Sequence, residues 1–329
     1  MSTPLIEVRD LVKYYKAPSS VPFARPAQVR AVDHVSFSVE EGKTLGLVGE
    51  SGCGKSTVGR LLVGLEKPDA GAVFYRGEEI SGKKERELRP VRTHLQMVFQ
   101  DSYSSLNPRR QIRDILAAPM LYHGLCGASS ADTRVDGLLD MVGLPKSAKG
   151  RYPYEFSGGQ RQRICIAQAL SLDPRFIVCD EPVSALDVSI QAQILNLLAQ
   201  IQREKKVSYL FIGHGLATVK YISDEIAVMY MGQLVESAPA EELFRDPLHP
   251  YTRALIAAAP VADPTADSFG GALLQGEVGS SADPPAGCRF HPRCGACMER
   301  CRSEMPRQRS LGGGHTVACH RFAEGGAPA

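Results

Sequence analysis

No apolar run in the 329-residue chain approaches the roughly 20 residues needed to cross a bilayer. Any association with a membrane is therefore expected to go through a partner. A surplus of one charge is also missing. The net charge is +2 and 22% of residues are charged, which argues against a dedicated nucleic-acid binder with its strong basic excess. The opening MSTPLIEVRD has no basic stretch followed by an apolar one, which gives the expectation of a cytosolic chain. No internal repeat is present. Cysteine is thin over the first two thirds, at Cys53, Cys126, Cys165 and Cys179, and then crowds at Cys288, Cys294, Cys297, Cys301 and Cys319. In a cytosolic chain such crowding suggests metal rather than disulfides. The length suits one large domain with an appendage or two modest ones, and 43% hydrophobic residues can bury an ordinary core.

What the chain does contain starts with GESGCGKST, Gly49 to Thr57. Gly49, four residues, then Gly54, Lys55 and Ser56 is the spacing of a phosphate cradle. The glycines let backbone N–H groups turn inward, Lys55 reaches the outer phosphates, and the Ser56 hydroxyl can ligate Mg²⁺. The motif follows an apolar run, Thr44 to Val48, and opens a helical stretch, Ser56 to Leu65. By itself it implies a site for ATP or GTP, lined by Gly49, Glu50, Ser51, Gly52, Cys53, Gly54, Lys55, Ser56 and Thr57. Cys53, beside Lys55 and at a helix start, is expected to be a reactive thiol.

The surrounding pattern is α/β. Ile6 to Tyr15 and Val35 to Val39 read as strands around a Pro/Ser/Ala-rich loop at 17–27, and Arg92 to Gln100 ends another strand. From Gln111 to Gly143 the periodicity is helical, which interrupts the alternation and reads as an inserted helical subdomain. Phe176 to Cys179 is a buried parallel strand, Val188 to Glu204 an amphipathic helix, and Tyr209 to Gly213 the next strand. A hairpin over Glu225 to Glu236 turns near Gly232, and helical pieces follow at Ala240 to Phe244 and Pro250 to Ala259. Residues 261–287 read as a linker and 288–329 as a Cys-rich tail.

Candidate chemistry collects at strand ends. Asp180 ends a hydrophobic strand and would help hold Mg²⁺, and Glu181 could polarise an attacking water. Gln100 leaves a strand for the helical insert, where a glutamine could sense both Mg²⁺ and that water. His214 could contact the γ-phosphate and hold the water in line. Tyr15 could stack on a base, with Tyr14 beside it as the one-residue alternative. Ser157, Gly158, Gly159 and Gln160, within FSGGQRQR, start a helix whose N–H groups and dipole suit an anion. A phosphate already held at Lys55 needs no second helix from its own domain, so a second copy of the fold is expected to supply it.

Together these motifs resemble the ATPase subunits of ATP-binding cassette (ABC) transporters over residues 4–260. The closer likeness is to the oligopeptide/dipeptide importer branch, through MVFQDSYSSLNPR (97–109), DEPVSALDVSIQAQILNLL (180–198), DPLHPYTRAL (246–255) and the cysteine tail. That resemblance implies a P-loop NTPase fold, with an antiparallel β subdomain, a helical subdomain at about 101–170, and a Cys-rich extension. It implies ATP and Mg²⁺, the latter at Ser56, Gln100 and Asp180. Glu181 would be the catalytic base, Gln100 the Q-loop glutamine, His214 the switch histidine, and Asp187 the residue that closes the D-loop. The implied partners are a second, related ATPase subunit in a heterodimer, two integral-membrane permeases and, indirectly, a periplasmic or extracellular substrate-binding protein. The place is the cytoplasmic face of the membrane. Peptides are the implied cargo, with nickel, glutathione or oligosaccharides as alternatives, and a soluble ABC ATPase acting on nucleic acid as a remoter one.

Two residues depart from the family pattern: Gly215 stands where aspartate is usual, and Phe156 where leucine is. The first implies a more mobile switch loop. In the tail, Cys288, Cys294, Cys301 and Cys319 match a family ligand set suited to a [4Fe–4S] cluster, and Cys297 is additional. His291, His315 and His320 keep zinc open as the alternative. Arg289, Arg293, Arg300, Arg302, Arg307 and Arg309 are expected to offset the charge of a thiolate centre, or to form a solvated basic face.

Overall fold

The computed structural model describes residues 3–16, 28–258 and 279–322. The loop at 17–27 and most of the linker, 261–278, lie outside the described residues. Strands β1 (Ile6–Lys16), β2 (Gln28–Val39), β3 (Thr44–Val48), β4 (Ala70–Tyr75), β5 (Glu78–Glu79) and β6 (Leu95–Val98) precede β7 (Phe176–Asp180), β8 (Ser208–Ile212), β9 (Glu225–Tyr230) and β10 (Gln233–Pro239). Two short strands close the order, β11 (Arg309–Ser310) and β12 (Thr316–Val317).

The strands form two sheets. One is antiparallel, in the order β2-β1-β4-β5, and the other has eight strands in the order β11-β12-β10-β9-β3-β8-β7-β6. Within the larger sheet, β9, β3, β8, β7 and β6 are parallel neighbours. Every residue of TLGLV, FIVCD and SYLFI in β3, β7 and β8 is buried, as strands covered on both faces must be. Their C-terminal ends therefore open on one edge, the place where α/β sheets present ligand-binding loops.

Helix α1 (Lys55–Leu62) leaves β3 through the glycine loop. Helix α2 (Glu85–His94) replaces the first part of the strand expected from Arg92, so β6 starts only at Leu95. Arg92 falls in the last helical turn, where a cation is favoured by the helix dipole, and His94 closes the helix. The insert then runs through α3 (Ser102–Ser105), α4 (Ile112–Tyr122), α5 (Ala128–Met141) and α6 (Gly158–Leu170). Ile112, Leu116, Val135, Leu139 and Ile164 are fully buried, in one core that continues into Ile177, Tyr209 and Phe211 of the large sheet. Helix α7 (Val188–Lys205) and α8 (Leu216–Ile222) flank β8, and α9 (Ala240–Arg245) and α10 (Pro250–Ala257) follow the hairpin. No helix among the described residues is long and apolar enough to cross a membrane.

The tail departs from the expectation of a region beyond the core. Strand β12 pairs with β10 through Glu236 and Ser237, which extends the large sheet. Phe290 is buried against Tyr230 and Tyr251, with ring centroids 5.3 and 5.4 Å away. His315 Nε2 lies 2.8 Å from the buried Glu236 carboxylate, which also accepts the backbone N–H groups of Leu248 and His249. The physical reason is burial: this apolar edge of the sheet would otherwise face water, and the tail covers it.

Candidate nucleotide site

The loop between β3 and α1 is shaped by close approach. A Cβ on Gly49 would stand 2.1 Å from the Met229 carbonyl, and one on Gly54 1.9 Å from the Ala31 carbonyl. Both glycines have positive φ, 156° and 109°, so no other residue fits either position without moving the chain. Ser51, Gly52, Gly54, Lys55, Ser56 and Thr57 line a cleft of about 330 Å³ together with Tyr15, Ala31, Gln100, Glu181 and His214. Gly49, Glu50 and Cys53 are not among the lining residues. Lys55 Nζ donates to the carbonyls of Gly49 and Glu50 at 2.8 and 2.9 Å, which holds the ammonium across the loop.

Opposite the loop stand the ends of β6, β7 and β8. Ser56 Oγ donates to Asp180 Oδ1 at 2.9 Å, and burial raises the Asp180 carboxyl above its usual range. Gln100 Nε2 donates to Glu181 Oε2 at 2.7 Å, and His214 Nε2 meets the other oxygen of the same carboxylate. Three strand ends, far apart in sequence, thus converge on one acid. Glu181 also has a φ of +48°, a conformation that L residues adopt at a cost. Its N–H donates to the Ile212 carbonyl, which fixes the turn that aims the side chain at the cleft. The hydroxyl, amide and carboxylate oxygens of Ser56, Gln100 and Asp180 are the hard donor set that suits Mg²⁺.

Of the two tyrosines, Tyr15 lines the cleft, and its hydroxyl bonds to Glu66. Tyr14 is directed elsewhere: it bonds to Asp33, and its hydroxyl is pushed up to about 12, first by burial and then by that carboxylate. Ala31, another lining residue, has no signature in the sequence, because it reaches the loop only through the fold of β2.

Ser157, Gly158, Gly159 and Gln160 are not among the cleft's lining residues, nor is Asp187. Ser157 caps α6: its Oγ accepts from Gln160 N, and the Gln160 side chain accepts from Ser157 N in return. Asp187 caps α7 without a side-chain bond, and Gly215 likewise starts α8 with none. A Cβ on Gly159 would stand 2.5 Å from Ile190 Cγ2, so the close contact between α6 and α7 requires glycine there.

Two expectations are corrected. Cys53 is 5% exposed, and burial raises its thiol pKa despite Lys55 Nζ at 3.8 Å, so it is a packed side chain rather than a reactive one. Arg289 and Arg293 do not surround the cysteines. Arg289 pairs with the buried Asp33, and Arg293 holds Glu50 of the glycine loop through both carboxylate oxygens.

The tail thiols are near one another without forming a ligand set. Burial pushes Cys288 up to about 12, and Cys301, Cys319 and Cys294 add to that rise. Burial also raises Cys294 and Cys319. Among the described residues no three His, Cys, Asp or Glu side chains are gathered so as to hold a metal ion. Among the described residues the expected set of Cys288, Cys294, Cys301 and Cys319 is therefore not gathered as ligands.

Residues 32–184 match the family model of ABC transporters, and residues 235–301 that of the oligopeptide/dipeptide transporter C-terminal region. The second match begins inside β10, well before the first tail cysteine. Among similar curated proteins is the oligopeptide transport ATP-binding protein AppF of Bacillus subtilis, 47% identical, with 97% of this chain and 98% of the relative covered. The di/tripeptide transport ATP-binding protein DppF of Pseudomonas aeruginosa is 46% identical over 96% of this chain and 97% of its own. The oligopeptide transport ATP-binding protein OppF of Escherichia coli is 47% identical over 96% and 95%. Among solved structures, the ATP-binding cassette MJ0796, dimeric in a post-hydrolysis state with ADP and Pi, shares the fold at a TM-score of 0.64. It is 24% identical and covers 71% of this chain and 98% of its own.

Proposed function

The chain belongs to the ABC transporter family, and from that premise we propose that its cleft hydrolyses ATP to energise the import of peptides. The observation that carries the reading is the convergence of Gln100 and His214 on the Glu181 carboxylate, opposite the glycine loop. Glu181 is the base that takes the proton of an attacking water, and Gln100 and His214 hold its carboxylate in line. Lys55 turns from the loop carbonyls to the phosphates, and Tyr15 offers its face to the base. Ser56, Asp180 and Gln100 would hold Mg²⁺, which would supply charge neutralisation for the phosphate oxygens.

Ser157 to Gln160 and Asp187 stand outside the cleft, so a second cassette is needed to bring that helix start to the phosphates. We assign this second cassette to a related but distinct ATPase subunit. The permeases dock on the helical insert, where Tyr103, Leu121 and Tyr122 are exposed, and the chain is held peripherally at the membrane through them. A substrate-binding protein supplies peptide from the far side. A [4Fe–4S] cluster or, failing that, zinc at the tail thiols would require them to draw together from where they stand, and iron, sulfide and zinc analysis after anaerobic purification tests for either.

The test of the function is reconstitution with the permeases and second ATPase in vesicles. Peptide uptake that requires ATP and is lost in Glu181→Gln supports the reading. ATP-dependent uptake of nickel or an oligosaccharide but no peptide would overturn the cargo and leave the ATPase.

A further inference from the structure

Glu50 belongs to the phosphate loop, yet it is not among the residues that line the cleft. Its carboxylate is gripped by Arg293 of the tail, with Nη1 donating to Oε2 at 2.8 Å and to Oε1 at 3.1 Å, and Nη2 donating to Oε1 at 3.1 Å. The side chains are 7% and 22% exposed, so this pair is largely withdrawn from water. The remaining polar groups of Glu50 are used as well. Its N–H donates to the Tyr251 hydroxyl at 3.0 Å, and its carbonyl accepts from Lys55 Nζ at 2.9 Å.

The same short stretch of tail supports the loop from a second side. Arg289 donates to the Met231 carbonyl and pairs with Asp33. The next residue, Gly232, donates its N–H to the Cys53 carbonyl of the loop at 2.9 Å, and its own carbonyl accepts from Asp33 N at 2.8 Å. Between the two arginines, Phe290 packs on Tyr251, the residue whose hydroxyl holds Glu50 N. Residues 289–293 therefore touch the loop or its supports through three side chains.

We propose that Arg293 is a positioning residue for nucleotide binding, acting through Glu50 to hold the phosphate loop in its binding shape. This rests on the nucleotide reading of the cleft. A loop rich in glycine has little rigidity of its own, and its N–H groups bind phosphate well only when they are held at one point beforehand. A guanidinium suits that task because its planar fork fixes both carboxylate oxygens, where an ammonium would act as a point charge. The tail thereby becomes part of the nucleotide site without touching nucleotide.

The test is ATP·Mg²⁺ binding to the full chain by calorimetry, for wild type, Arg293→Gln, Glu50→Gln, the double variant, Arg293→Lys and Arg300→Ala. Arg293→Gln should weaken binding roughly tenfold, the scale of a lost charge-assisted hydrogen bond. Glu50→Gln should weaken it similarly, and the double variant should be no worse than the weaker single, because one interaction is removed either way. Arg293→Lys should fall between wild type and Arg293→Gln, which keeps the test alive if the glutamine variant does not fold. Arg300→Ala, at an exposed tail arginine, should bind as wild type does and so controls for general loss of tail charge. Wild-type affinity in Arg293→Gln, or losses that add in the double variant, would overturn the proposal. A wild-type chain that binds no ATP would instead overturn the nucleotide reading.

Discussion

The cleft and the tail are built in opposite ways. The cleft is made of short contiguous motifs, each announced by its own residues, and the fold only has to bring strand ends together. Lys55, Gln100, Asp180, Glu181 and His214 are each set beside a buried strand whose direction fixes where the side chain goes. The tail has no such local logic. Its main contacts, Arg293 to Glu50 and Arg289 to Asp33, join residues 243 and 256 positions apart. A side chain used for chemistry can be read from its neighbours in sequence, whereas one used for support is defined by whatever the fold places opposite it.

The largest expected effect separates the two regions by function. Glu181→Gln should reduce steady-state hydrolysis in the assembled complex by about 10²–10⁴-fold while ATP binding remains. A rate near wild type would remove the acid from its role and blur the comparison.

Next in size, Arg289→Met leaves Asp33 buried with its main charge partner gone. Arg289 is 2% and Asp33 5% exposed, and breaking such a pair from one side costs about 3–5 kcal/mol. Urea unfolding of the full chain should show this as one cooperative transition with a lower midpoint. Loss confined to a separate tail transition would mean that the tail is an independent unit.

A smaller effect depends on pH. His249 is buried, caps α10 by accepting from Tyr251 N at 3.0 Å, and has its pKa lowered to about 3 by desolvation. Its unfolded value is near 6.5, so the unfolded chain binds the proton first as pH falls. The stability it contributes is full above about pH 6.5 and is lost progressively toward pH 3. Between pH 7 and pH 5 the loss from this group should be about 2 kcal/mol. His249→Asn keeps a capping acceptor without the titration, and unfolding curves at the two pH values should differ less in that variant.

Smallest is Gly215→Asp. Helix α8 starts at Gly215 with no side-chain cap, and aspartate would supply one. A gain of a few tenths of a kcal/mol in thermal stability is expected, since glycine is already a tolerable cap. The neighbouring Thr218 Oγ1, 3.1 Å from where the new Cβ would stand, must yield slightly.

Legibility follows the same divide. The buried parallel strands and the glycine loop were evident, because continuous apolar runs and a fixed glycine spacing have few other solutions. The sequence places the strand from Arg92, whereas β6 begins at Leu95, because Arg92 and His94 close α2. Cys53 looked activated from its neighbours Gly54 and Lys55, but burial outweighs the nearby ammonium and only the fold reveals burial. The tail arginines carried no local sign of their partners. Crowding marks the cysteines in the sequence, while the residues between them make the contacts with the ATPase core.

Through the pairing of Arg293 with Glu50, tail and phosphate loop are proposed to act as one nucleotide-binding unit. Hydrogen exchange of the full chain, with and without ATP·Mg²⁺, tests it most directly, because coupling between two sites must be felt at both. Nucleotide should slow exchange at residues 49–57 and also at 288–294. Protection of the loop with residues 288–294 unchanged would contradict it.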